Sequence, residues 1–144
     1  MYIQSELKDR VKKLLNREHL HMGDALNIEF TSFKTDEIKA IMPVDENTVQ
    51  PFGLLHGGAS VALAETLASV GAWLSIREEN KMAVGVEINA NHLRAVKKGG
   101  SVKGVARPVH RGGQIQVWET KIFTSDDKLV CVSRCTLAVV HSRK

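Results

Sequence analysis

Aromatic residues make up only 5% of this 144-residue chain: two Trp, one Tyr and four Phe. Residues 88–118 hold a single one, Trp118. Stacking of nucleic-acid bases needs more than that, and no recognisable binding motif accompanies it, so no nucleic-acid partner is expected. Cysteine is almost as scarce. Cys131 and Cys135 lie four apart in a strand-like run, which at the usual rise separates them by about 13 Å, too far for a disulfide. A reduced, cytoplasmic setting is the simplest expectation. Residues 1–20 carry charges throughout and contain no apolar h-region, so no signal peptide is expected. With three prolines and no linker, repeat or low-complexity tract, residues 1–144 read as one domain.

Residues 88–118 also lack any acidic side chain, while Arg94, Lys97, Lys98, Lys103, Arg107 and Arg111 fall within them. A field of this sign suits a phosphate-bearing ligand, and it equally suits a solvated basic face. Over the whole chain, hydrophobic residues total 43% and charged residues 25%, an ordinary globular composition.

Ile3, Leu7, Val11, Leu14 and Leu15 space residues 3–18 as an amphipathic helix, and residues 1–20 are taken as an N-terminal helical segment. Residues 26–33 and 37–44 read as strands around a Lys34-Thr35-Asp36 turn. Four further β-rich stretches cover 82–94, 101–109, 114–124 and 128–140, and Pro108 marks a bulge or an exposed edge. Between the two sets runs ASVALAETLASVGAWLSI, residues 59–76, with one charge in eighteen. Rich in Ala, Leu and Ser, it reads as a buried helix, and Glu65, Thr66, three serines and a glycine make it a poor membrane span. The expected fold is α+β: an antiparallel sheet of about six strands wrapped around one long helix.

Glu65 is the residue that asks for explanation. Burying an ionised group without partners costs several kcal/mol, so it faces solvent, caps a polar cluster or is poised for chemistry. Ser69 shares its helix face at i+4. Immediately upstream stand Gln50-Pro51-Phe52-Gly53-Leu54-Leu55-His56-Gly57-Gly58. Glycines at a helix start form either a plain turn or a place where free N–H groups meet a carbonyl oxygen gaining charge. Gly57 and Glu65 are eight residues apart, about 12 Å along one helix. No acyl carbon reaches both in one chain, so joint action requires two subunits sharing composite sites.

These residues carry a family resemblance. The stretch MPVDENTVQPFGLLHGGASVALAETLASVGAW, followed by GVEINANHLRAV, resembles the hotdog-fold thioesterases of the 4-hydroxybenzoyl-CoA clade. Within that clade it is most similar to the bacterial 1,4-dihydroxy-2-naphthoyl-CoA hydrolases and phenylacetyl-CoA-type thioesterases. The resemblance spans about residues 25–140 and leaves the N-terminal segment unexplained. It implies hydrolysis of an acyl-CoA, with an aromatic acyl group expected and Glu65 as nucleophile or general base. It also implies that the Gly57 N–H polarises the carbonyl and that His56 and Gln50 position it. Ser69 would hold Glu65 or water, Gly58 would contact the substrate, and His92 would lie beside the bound thioester or its pantetheine arm. Arg94 is the first candidate for the CoA phosphates, ahead of Lys97, Lys98, Arg107 and Arg111. By strand parity with Val86, Ile88 and Ala90, His92 points toward the core side, where a satisfied core histidine is the alternative. No cofactor or metal is expected beyond the CoA of the substrate, and a homodimer, assembled into a homotetramer, is expected to form the sites. Residues 20–30, the start of the long helix and the partner chain are expected to line the acyl pocket. A hotdog dehydratase and a non-catalytic acyl-CoA-binding sensor remain as alternatives, distinguished by loss of water without thiol release and by binding without turnover.

Overall fold

The computed structural model describes residues 1–143. Seven strands form one sheet in the order β1-β2-β3-β5-β6-β7-β4. They are β1 (Tyr2–Ile3), β2 (Glu29–Lys34), β3 (Glu37–Pro43), β4 (Lys81–His92), β5 (Ser101–Arg111), β6 (Ile115–Thr124) and β7 (Leu129–His141). Every pairing is antiparallel except β1 with β2. Helices α1 (Lys8–Leu15) and α2 (Met22–Ala25) precede β2, and α3 (Gly57–Ser75) follows β3. The sheet wraps α3, which packs against β3, β4, β5, β6 and β7.

Six strands and the long helix match the sequence reading; the N-terminus departs from it. Residues 2–3 are a short parallel strand, residues 5–7 a 3-10 turn, and the helix proper begins only at Lys8. The Gln4 N–H donates to the Phe33 carbonyl and its side-chain oxygen accepts from the Thr35 N–H, pinning extended backbone beside β2. α1 is then held by Arg10, which lies over the Trp73 ring, 4.3 Å from its centre, and donates to the carbonyls of Leu74 and Ile76. It thereby satisfies carbonyl groups at the end of α3.

The core lies between α3 and the concave sheet face, where Trp118, Phe33, Ile38, Met42, Leu63, Leu67, Ile122 and Leu137 are fully buried. Trp118 sits in this core with its Nε1–H donated to Gln116, so the one aromatic of the basic stretch is unavailable to any partner. Its ring packs directly on α3 at Gly71, where an added Cβ would lie 2.6 Å from two ring carbons. Gly71→Ala therefore overpacks the helix–sheet contact and is expected to cost about 1–3 kcal/mol in a denaturant titration. Unchanged stability would mean that the indole shifts freely.

Helix α3 is apolar nearly all round, yet only one side is sealed. Ala59, Ser60, Leu63, Ala64, Leu67, Ala68, Gly71 and Ala72 are buried against the sheet. The opposite stripe (Val61, Ala62, Glu65, Thr66, Ser69, Val70 and Trp73) is only half-buried. Glu65 lies on that stripe.

Candidate active site

The predicted residues separate into two clefts on either side of the α3 N-terminus. The first, about 610 Å³, is lined by Gly58, Glu65, Thr66 and Ser69 of α3, faced by Met22, Ile28 and Phe30 and by Leu14 and Arg17. Residues 20–30 supply part of the wall, as expected. The contribution of Leu14, Leu15 and Arg17 was not anticipated; its signal was the Leu-Leu pair closing an otherwise charged helix. Glu65 is half-buried and accepts no hydrogen bond from any described residue. It is neither sealed in the core nor out in bulk water. Buried Cys135 lies within its electrostatic reach. Burial, reinforced by the Glu65 and Glu87 charges, pushes that thiol up to about 12, so it stays protonated and inert as a nucleophile at neutral pH.

The second cleft, about 420 Å³, is lined by Gln50, Gly57, Ser60, His92 and Arg94, among others. His56 is the N-cap of α3 and its Nδ1 accepts from the Gly58 N–H at 2.7 Å. The His56 carbonyl takes the Ala59 and Ser60 N–H groups at 3.0 and 3.2 Å. Among the described residues, no acceptor meets the Gly57 N–H. One donor at the positive end of the helix dipole is thus left free. The His92 ring lies against this residue: a Cβ on Gly57 would sit 2.9 Å from its Nε2. The Gln50 side-chain oxygen accepts the Phe52 N–H, which leaves the Gln50 amide NH₂ as a donor.

Strand parity gives the direction of His92 but not its burial, since its side chain is exposed rather than a core histidine, and parity fails for Val86. A bulge between Gly85 and Glu87 breaks the β4–β7 register, and Val86 is 62% exposed. Ile88 and Ala90 pack on the core, and His92 continues from them toward α3. β4 ends at His92; the Leu93 and Arg94 N–H groups turn in to the Val130 carbonyl, so Arg94 stands on a loop.

The basic stretch is largely committed to structure. Arg107 pairs with Glu37 at 2.5 Å, Lys98 with Glu46 at 2.6 Å, and Lys103 with Asp127. Arg111 donates to the Thr35 carbonyl at 2.6 Å. Burial alone would push the Glu37 carboxyl up, but hydrogen bonds from Lys39 and Arg107 hold it below its ordinary value. Arg94 and Lys97 have no ion-pair partner among the described residues, and Arg94 lines the second cleft. Among the described residues there is no cluster of three or more His, Cys, Asp or Glu able to hold a metal ion, and no helix long and apolar enough to cross a membrane.

A sheet curled around one long helix, with a carboxylate at mid-helix and a free amide at its tip, defines a hotdog-fold thioesterase. The chain belongs to the thioesterase superfamily, whose family model matches residues 52–131. The 1,4-dihydroxy-2-naphthoyl-CoA hydrolase of Escherichia coli (strain K12) is 50% identical over 120 residues, 83% of this chain and 87% of that protein. The proofreading thioesterase EntH of Cronobacter turicensis is 50% identical over 115 residues, 80% and 82% of the two chains. A crystal structure of a thioesterase from Haemophilus influenzae superposes with a TM-score of 0.82 at 47% identity, covering 92% of this chain and 90% of that one.

Proposed function

We propose that this thioesterase hydrolyses an aromatic acyl-CoA, with 1,4-dihydroxy-2-naphthoyl-CoA of menaquinone biosynthesis as the leading substrate. The reading rests on one observation: a half-buried carboxylate opens into a largely apolar cleft while the free Gly57 amide opens into a different one. The 50% identity to a 1,4-dihydroxy-2-naphthoyl-CoA hydrolase supports the choice of acyl group.

In this mechanism the Gly57 N–H of one subunit polarises the thioester carbonyl, with Gln50, His56 and His92 orienting it. Glu65 of the other subunit works from the opposite side. Either its carboxylate attacks the carbonyl carbon, expelling the CoA thiolate and leaving a mixed anhydride that water cleaves, or it removes a proton from the attacking water. Ser69, one turn from Glu65, holds the carboxylate or that water, and Gly58 borders the acyl group. Arg94, with Lys97 near it, takes the CoA phosphates. A homodimer supplies two such sites, and a homotetramer pairs the dimers. The protein works in the cytoplasm without a cofactor.

Equal identity to a proofreading thioesterase favours a second reading, hydrolysis of several acyl-CoAs. Thiol release across a panel of aromatic and aliphatic acyl-CoAs separates the two. The leading reading expects kcat/KM for the hydroxylated naphthoyl thioester to exceed that of short aliphatic ones by at least about tenfold. A flat ranking selects the second reading, and binding without thiol release overturns both.

A further inference from the structure

Gly85 lies inside β4, a place where glycine weakens a strand. Its backbone does not demand glycine, since the positive-φ glycines are Gly53, Gly99 and Gly100. The bulge that begins here needs none either at an ordinary φ. A side chain at this position would meet only Glu65. An added Cβ would stand 2.5 Å from Glu65 Oε1 and 3.6 Å from its Cδ, with no other heavy atom beyond the chain neighbours within 4 Å. The carboxylate has no hydrogen bond to a described residue, and its Oε1 lies where only a residue without a Cβ leaves room.

We propose that Gly85 is a positioning residue: the bulged backbone of β4 is the seat of the Glu65 carboxylate, and the missing side chain sets how far the acid extends from α3 into the cleft. The inference rests on the reading of Glu65 as the acting carboxylate. The bulge serves the same end. It leaves Val86 outside the β7 ladder with its side chain turned outward, so that bare backbone faces the acid. Bulges are used in this way to re-aim groups beside active sites.

Gly85→Ala tests the seat. Displacing a reacting group by about an ångström costs up to roughly 10²-fold, so kcat should fall by roughly 10- to 100-fold. KM should stay within about twofold, because substrate binding is not what the contact controls. Melting temperature should not fall, since alanine suits a strand better than glycine and only a side-chain tip is in the way. A merely structural glycine would give the reverse, lost stability with kcat per folded molecule preserved.

The second arm is a double-mutant cycle. Glu65→Asp shortens the acid by one methylene and withdraws it from the seat. Adding Gly85→Ala to it should then cost no more than about twofold further. The same 10- to 100-fold loss in the Asp background, or a Gly85→Ala protein that fails to fold even there, overturns the proposal. Full kcat in Gly85→Ala, with Glu65→Gln inactive, overturns the seat alone. Full turnover in Glu65→Gln removes the reading on which it rests.

Discussion

Glu65→Gln is expected to lower kcat by at least ~10², the usual worth of a positioned general base and a lower bound for a nucleophile. The exchange is close to isosteric, and Glu65 makes no hydrogen bond or ion pair with a described residue that the fold would lose. Stability should therefore stay within about ±0.5 kcal/mol, as for other substitutions away from structural features. KM should change little, because the carboxylate acts on the transition state rather than on the bound thioester. Thiol release monitored beside a denaturant titration separates chemistry from folding. Near wild-type turnover in a folded Glu65→Gln protein would remove this residue from the mechanism. With enzyme in excess and isotopically labelled water, a nucleophilic Glu65 whose anhydride is cleaved at its own carboxyl passes an unlabelled oxygen into the product acid. A general base does not.

The features legible in the sequence are those written in local chemistry. A run of Ala, Leu and Ser behind two glycines forms α3 wherever it is placed, and a lone charge within it marks the face that the sheet does not cover. Spacing along that helix already separated Gly57 from Glu65, and the structure puts them in different clefts. Non-local pairing was illegible. The apolar rhythm Ile3, Leu7, Val11 continues across the change from strand to helix, and only the bond from the Gln4 N–H to the Phe33 carbonyl decides where the change falls. Arg94 and Arg107 look alike in the chain, yet Glu37, seventy residues upstream, occupies Arg107 and leaves Arg94 without an ion-pair partner. The placement of β4 beside β7, and the bulge that turns Val86 outward, likewise depend on pairing between residues 39 to 60 positions apart.

Gly57→Pro should remove the amide and leave α3 intact. Gly57 is the first residue of α3, where proline is tolerated because that N–H has no intrahelical acceptor. His56 already has φ −69° and ψ 130°, the extended backbone that a following proline requires. Loss of one donor to a developing oxyanion costs roughly 10²–10³ in kcat. The pyrrolidine ring also meets the His92 ring, so Gly57→Ala is the control. It places a Cβ in the same position, 2.9 Å from His92 Nε2, and keeps the N–H. If alanine and proline are equally damaging, displacement of His92 explains the loss and the amide has no role. If only proline is, the amide is the polarising group. Combining Gly57→Pro with Glu65→Gln then tests the geometry on which the mechanism depends. Refolded together in equal amounts, two inactive chains that build composite sites should recover about a quarter of wild-type activity, because half the dimers are mixed and each of these holds one intact site of two. If Glu65 and Gly57 act within one chain, every site carries a defect and mixing recovers nothing.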